Sequence, residues 1–316
     1  MFPKLSINEV AKLEGITIPG VRHKLKSKNI ELKRFGNKLY FDHYDAKKYF
    51  NFKFNKKKIA FQMLKGGVGK TTLIQSISLC ASLYGARILC IDTDQQSNLT
   101  LSFNMLKKSA SVPILVDLLR GDGEIQDSLL NVAPGVDLLP STMDNASLDY
   151  VIDENQYPVK EIYSNIIGPV IDNYDLIFID SGPSLYKPVI AGLLFSDLIV
   201  APITPSDFCV SGLKHLLKEL NRLKRAFNTD LKITALMNNF DNKTTKSLSV
   251  YQTLIKKYGA ILFPSYVRKS QEFENMIDSD GENSTNIFET LKKSSPKDDI
   301  DIITKSLLEI KDAASK

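Results

Sequence analysis

The chain has 316 residues, 43% of them apolar, with 41 Lys or Arg against 36 Asp or Glu and a formal charge of +5. That is enough apolar material for one large domain, or one large and one small, but the longest apolar run, VIAGLLFSDLIVAPI, is broken by Ser196 and Asp197, which excludes a bilayer span there. MFPKLSINEV has no apolar signal core, and Cys80, Cys90 and Cys209 lack CxxC spacing, so a cytosolic chain with buried thiols is expected.

The charge is unevenly spread. Residues 1–58 hold fifteen Lys or Arg and five acids, a formal +10, which leaves −5 for residues 59–316. A basic arm on a mildly acidic body points to DNA or a membrane surface. The plainer alternative is a solvated lysine-rich face, and the pattern inside the arm argues against it.

Ser6 stands three residues before Glu9, a capping box that predicts a helix with Val10 and Leu13 on its apolar side and Gly15 at its end. Thr17 is placed to cap a second helix with Pro19 in its first turn. That helix carries Arg22, His23, Lys24, Lys26 and Lys28, with Val21 and Leu25 facing inward. IELKRF and KLYF around Gly36-Asn37 predict a hairpin bearing Lys33, Arg34 and Lys38, and FDHYDAKKYF predicts a closing helix. This order resembles the MerR-like winged helix-turn-helix family over about residues 5–50. The resemblance implies a small DNA-binding domain, 1–50, with its second helix in the major groove and Arg22, Lys24, Lys26, Lys33 and Arg34 as DNA contacts. His23 has no second ligand nearby and reads as a phosphate-facing side chain. NFKFNKKK, residues 51–58, reads as an exposed basic linker, so deleting 1–55 is expected to spare everything after it.

IAFQM, 59–63, predicts a buried strand that runs into LKGGVGKTT. A helix follows, with Leu73, Ile77, Cys80 and Ala81 at helical spacing and Gly85 at its close. Strand, glycine turn and helix form the context of a P-loop. Gly66, Gly67 and Gly69, with Val68 between them, let consecutive N–H groups point inward, and the helix N-terminus adds partial positive charge. In such a loop Lys70 bridges β- and γ-phosphates of ATP, Thr71 ligates Mg²⁺ and Thr72 reaches the α-phosphate.

A second lysine, Lys65, leads the turn. KGGVGKT with that leading lysine resembles the deviant Walker A signature of the ParA-type partition ATPases. The resemblance continues along the chain to about residue 290. RILCIDTDQQSNLT is similar to the family's DLDPQ segment, with Asp92, Asp94 and Gln96 in matching places. YDLIFIDSGPSL resembles a Walker B strand ending in Asp180, with Gly182 where the family tends to have proline. LIVAPITPSDFCVSGLKHLLKEL, 198–220, resembles the family's strand and helix at the dimer face. ITALMNNFDNKTTK resembles its NxxD segment through Asn238 and Asp241.

The resemblance implies a doubly wound, mostly parallel α/β P-loop ATPase, 59–316, preceded by the winged helix-turn-helix. It implies that Lys65 reaches a partner's phosphates across a homodimer, that Asp94 positions the attacking water and that Asp180 contacts Mg²⁺. Asp92 holds either the Mg²⁺ shell or the loop, and Asn238 contacts adenine. The implied activity is weak ATP hydrolysis stimulated by DNA and a ParB-like centromere-binding protein. The ATP dimer coats DNA without sequence preference, through Arg268 and the basic helix of Lys214, Lys218, Arg222, Lys224 and Arg225, while the N-terminal domain binds an operator. Such a protein is cytoplasmic and nucleoid-associated. An ATP-switched transcriptional regulator stays open as an alternative. A MinD-like membrane ATPase is disfavoured by the acidic tail helix with Asp298, Asp299, Asp301 and Glu309, and an iron-protein reductase by cysteines inside regular elements.

Overall fold

A computed structural model of the protein describes residues 1–276 and 283–311, so the end of the predicted tail segment, 312–316, lies outside it. The first 50 residues form α1 (Ile7–Glu14), α2 (Ile18–Ser27) and α3 (His43–Phe50) with a three-stranded sheet of β1 (Leu5–Ser6), β2 (Lys33–Phe35) and β3 (Lys38–Phe41), in the order β1-β3-β2. Local chemistry accounts for these elements. The Ser6 hydroxyl accepts from Glu9 N–H while Glu9 returns a bond to Ser6 N–H, and Gly15 stops α1 at φ 64°. The Thr17 hydroxyl accepts from Gly20 N–H at the start of α2. Asp42 caps α3 through bonds from Tyr44 and Asp45 N–H.

The larger sheet holds β4 (Lys57–Phe61), β5 (Ile88–Asp92), β6 (Leu130–Ala133), β7 (Val136–Leu139), β8 (Leu176–Asp180), β9 (Leu198–Ile203), β10 (Ile233–Phe240) and β11 (Leu262–Arg268). Their order is β11-β10-β9-β4-β8-β5-β7-β6, parallel throughout except for the β6–β7 hairpin. Strands buried on both faces read as continuous apolar runs, as in ILCID and LIFID, because helices cover the two sides of a parallel sheet. Central β4, flanked by β8 and β9, leads into the glycine turn and α4 (Lys70–Ser82), a helix with eleven of its thirteen residues buried. This is the expected mostly parallel α/β arrangement, with the carboxyl ends of β4, β5 and β8 side by side. Among the described residues no helix is long and apolar enough to cross a membrane. Cys80, Cys90 and Cys209 are buried free thiols.

The linker departs from expectation at its end. Residues 57 and 58 already belong to β4. Lys56, Lys57 and Lys58 pair with Asp172, Glu309 and Asp197, so the lysine run is anchored at its end, while Asn51, Phe52, Lys53, Asn55 and Lys56 are exposed as expected of a linker. Phe50 stacks on Phe52 at 5.0 Å, and Phe52 meets Phe54 edge-on at 6.0 Å. The first 50 residues do not stand apart either. Val10, Leu13 and Phe41 share one apolar cluster with Leu83, Tyr84, Phe288, Ile303 and Leu307. Each fully buried side chain of this kind contributes about 1.5–3 kcal/mol. Deleting 1–55 would therefore expose the body's own core, and the expectation of a harmless truncation is withdrawn.

His43 sits in this seam, 3% exposed, with Nδ1 donating to the Ser82 carbonyl at 3.0 Å. Burial pushes its pKa below the ordinary 6.5, with Lys47 and Arg87 acting in the same direction and the Ser82 bond and Asp42 opposing. The folded chain thus binds fewer protons here than the unfolded one. The contribution is complete above the unfolded value and is lost as pH falls through the lower folded value. Buried Asp92 and Asp180, both raised, titrate with the opposite sign, so the comparison must be differential. The urea midpoint should fall between pH 7.5 and 5.5 by more in the native chain than in a His43→Gln variant.

Candidate functional site

The glycine turn is the centre of the site. Gly67 and Gly69 adopt φ of 71° and 89°, a region costly for residues with a Cβ, and Gly69 delivers the chain into α4. Lys70 is the first residue of that helix and is 8% exposed. Burial lowers its pKa, while the carboxylates of Asp180 and Asp94 pull it back up. One cation therefore faces two anions from different strand ends.

Asp180, at the end of β8, accepts from the Thr71 hydroxyl at 2.6 Å through one oxygen. Its other oxygen, Oδ1, is buried with no hydrogen-bond partner. Burial raises the Asp180 pKa, with the Thr71 bond and Lys70 opposing. A carboxylate with one orphaned oxygen beside a threonine hydroxyl has the chemistry of a hydrated divalent-cation site.

Asp92 ends β5 and is fully buried. Its Oδ2 accepts from Thr100 N–H at 2.8 Å and Thr100 O–H at 2.7 Å, and its Oδ1 from Asp94 N–H at 3.2 Å. Of its two expected roles, these bonds fit the loop role, since both oxygens are already engaged. Asp94 lies further out. Its Oδ1 accepts from Gln96 N–H, and its carboxylate lies over Gly182, where an added Cβ would be 3.5 Å away. The glycine in place of proline therefore borders the carboxylate directly. Ser181 reaches back to β4, donating to the Phe61 carbonyl at 3.1 Å.

Lys65 contacts the start of the helix Asp207–Phe227. Its ammonium is 3.4 Å from Ser206 Oγ and 3.7 Å from Cys209 Sγ, and 5.8 Å from the centroid of the Phe208 ring, which is 80% exposed. Asn238 lines a cavity beside the glycine turn and also braces that turn. Its amide donates to the Val68 carbonyl at 2.8 Å from β10. The cavity, of about 310 Å³, is also bounded by Gly69, Thr72, Asn239, Ser270, Phe273 and Glu274. Of these, Asn239, Ser270 and Phe273 were not singled out from the sequence. The one available signal was SQEFE directly after a strand at the same end of the sheet.

The predicted DNA contacts divide by their partners. Arg22 and Lys26 are exposed on α2 and Arg34 on β2, and among the described residues no salt bridge neutralises them. Lys24 pairs with Glu14 and Lys33 with Asp42. Arg268 is engaged with Asp299 through three bonds of 2.6–3.1 Å and donates to the Ser295 carbonyl. That carboxylate, buried in the helix Ser295–Leu308, offsets the charge of Arg268, whose side chain stays 38% exposed. In the helix Asp207–Phe227, Arg222 pairs with Glu219 and Lys224 with Asp230.

Residues 56–233 match the model of the AAA domain. The chain is similar to the sporulation initiation inhibitor protein Soj of Bacillus subtilis, 31% identical over 203 residues that cover 63% of this chain and 79% of Soj. Its fold is similar to cobyrinic acid a,c-diamide synthase of Mycobacterium smegmatis solved with a bound ATP analog and magnesium, with TM-score 0.68, 23% identity and coverage of 80% and 95% of the two chains. It is also similar to a putative plasmid partition protein of Borrelia burgdorferi bound to AMPPNP, with TM-score 0.62, 21% identity and coverage of 81% and 98%.

Proposed function

The chain belongs to the AAA-domain family, among its ParA-type P-loop ATPases, and on that premise we propose that it hydrolyses Mg·ATP to drive DNA partition. The observation that carries the reading is the Thr71–Asp180 pair at the foot of the glycine turn, with its orphaned carboxylate oxygen. Thr71 and Asp180 would hold Mg²⁺. When bound, the ion neutralises charge on the β- and γ-phosphates. Backbone N–H groups of 66–71 cradle the phosphates, Lys70 bridges the β and γ groups, and Thr72 reaches the α group. Asp94 orients the attacking water over Gly182. Lys65, parked against Ser206, turns to the phosphates of a second copy, which makes the ATP-bound form a homodimer.

Residues 1–50 act as the winged helix-turn-helix that binds an operator, with α2 in the major groove. The ATP dimer binds DNA without sequence preference and is stimulated by a ParB-like partner. Basic side chains with no acidic neighbour release most counterion on binding DNA. Replacing Arg22 and Lys26 together by alanine should flatten the salt dependence of affinity by about two log units per log unit of salt, one for each phosphate no longer neutralised. Lys24→Ala, which removes a lysine already paired with Glu14, should change it less. Fluorescence anisotropy on random duplex DNA and on DNA from upstream of the gene, with and without Mg·ATP, measures both the slope and the site preference. Equal slopes for all three proteins would remove α2 from the DNA interface.

A further inference from the structure

The seam between residues 1–50 and the body is a built interface. Two glycines of the body open space for α3. A Cβ on Gly135 would stand 2.3 Å from His43 Nδ1, and one on Gly85 would stand 2.6 Å from Lys47 Cα. Both have positive φ, 80° and 84°, so the turns that hold them already favour glycine. His43 fills the first opening and bonds the Ser82 carbonyl. Phe50 meets Tyr84 at 6.1 Å between ring centroids. On the other flank, Lys4 N–H donates to the Phe288 carbonyl at 2.8 Å, and Glu9 pairs with Lys297, itself only 4% exposed.

What makes the seam consequential is where it lies along α4. That helix begins at Lys70 in the glycine turn and ends at Ser82 under His43, a span of about 20 Å at 1.5 Å per residue. Buried almost throughout, it has no free surface on which to yield independently. Midway, Gln75 donates to the Ser102 carbonyl at 2.6 Å and accepts from Asn286 at 3.2 Å. The helix holding Ser102 is the one whose Thr100 donates twice to Asp92 Oδ2. One rod thus touches the phosphate turn, the Asp92 loop and the N-terminal unit.

We propose that residues 1–50 and α4 form a single cooperative unit through the His43 seam, so that nucleotide at the glycine turn and the posture of the basic N-terminal unit are thermodynamically coupled. The nucleotide half of this statement rests on the function proposed above. The cooperative half does not. Coupling between sites is reciprocal, so a change at the seam must appear at the phosphates.

Hydrogen exchange of the full-length chain, with and without Mg·ADP, tests it beside a fluorescent-ADP titration. His43→Ala should raise exchange in 46–50 and in 79–82 together, because the two segments open as one. It should also weaken Mg·ADP binding by about 5-fold or more, the low end of ordinary allosteric coupling. His43→Asn, which keeps a donor near the Nδ1 position, should restore both. Glu9→Gln, which keeps the cap of α1 but drops the charge facing Lys297, gives the same readout at the opposite flank should His43→Ala not fold. If exchange rises only within 1–50 while α4 and the affinity stay unchanged, the unit is merely parked there and the proposal fails. If the native chain binds no nucleotide at all, the ATPase reading falls, and the exchange of 79–82 still decides the seam.

Discussion

Lys70→Ala loses Mg·ATP binding by about 10²-fold or more, the cost of truncating one partner of a desolvated charge pair, whereas Lys65→Ala still binds nucleotide. The two lysines flank one turn, but their surroundings differ. Lys70 is buried between Asp180 and Asp94 and has no other anion to meet until a phosphate arrives. Lys65 rests against Ser206, Cys209 and the Phe208 ring, outside its own turn. Truncating it removes nothing from the cradle of the same chain. It should instead abolish ATP-dependent dimer formation and, with it, turnover. Nucleotide titration and ATP-dependent mass measured side by side separate the two lysines. A stable ATP dimer of Lys65→Ala would end the trans-lysine reading, and wild-type affinity in Lys70→Ala would end the P-loop assignment.

Asp94→Ala is the second large effect: turnover should fall about 10²-fold or more while nucleotide binding and dimer formation persist. Asp94 has one oxygen committed to Gln96 N–H and lies over Gly182, in the loop that follows the Asp180 strand. Its removal leaves Lys70, Thr71 and Asp180 in place, so binding has little reason to change. Asp92→Ala should behave differently. Asp92 is buried and holds Thr100 by two bonds, so its loss leaves the Thr100 N–H and O–H donors without their acceptor, and should lower stability before it lowers chemistry. Phosphate release together with thermal unfolding distinguishes the pair. Normal hydrolysis by Asp94→Ala would move the water-positioning role elsewhere.

Much of the site was legible in the sequence, because short-range patterns encode it. KGGVGKTT needs glycine at positive φ and a lysine at the head of a helix, and both requirements are met within eight residues. Ser6 with Glu9, and Thr17 with Gly20, close their caps within three residues of themselves, so the helix starts could be read directly. Apolar runs ending in Asp92 and Asp180 mark buried parallel strands whose carboxyl ends share one edge. The caps and the glycine turn need no distant partner.

What the tertiary structure alone decided is the partner of each polar side chain whose partner lies far away in the sequence. Arg268 looks like a free cation until Asp299, 31 residues on, takes its guanidinium. Lys56, Lys57 and Lys58 look like a tether until Asp172, Glu309 and Asp197 meet them across 116 residues or more. Asn238 has a local partner that the sequence does not show, the Val68 carbonyl 170 residues earlier. Sequence order does not specify which charges and amides will neighbour one another after folding. Which partner is available to each such group depends on how the sheet and helices pack. The same reason hid the docking of residues 1–50. Val10 and Leu13 read as the apolar side of a separate small domain, and only the packed chain shows that Leu83, Tyr84 and Phe288 complete that core.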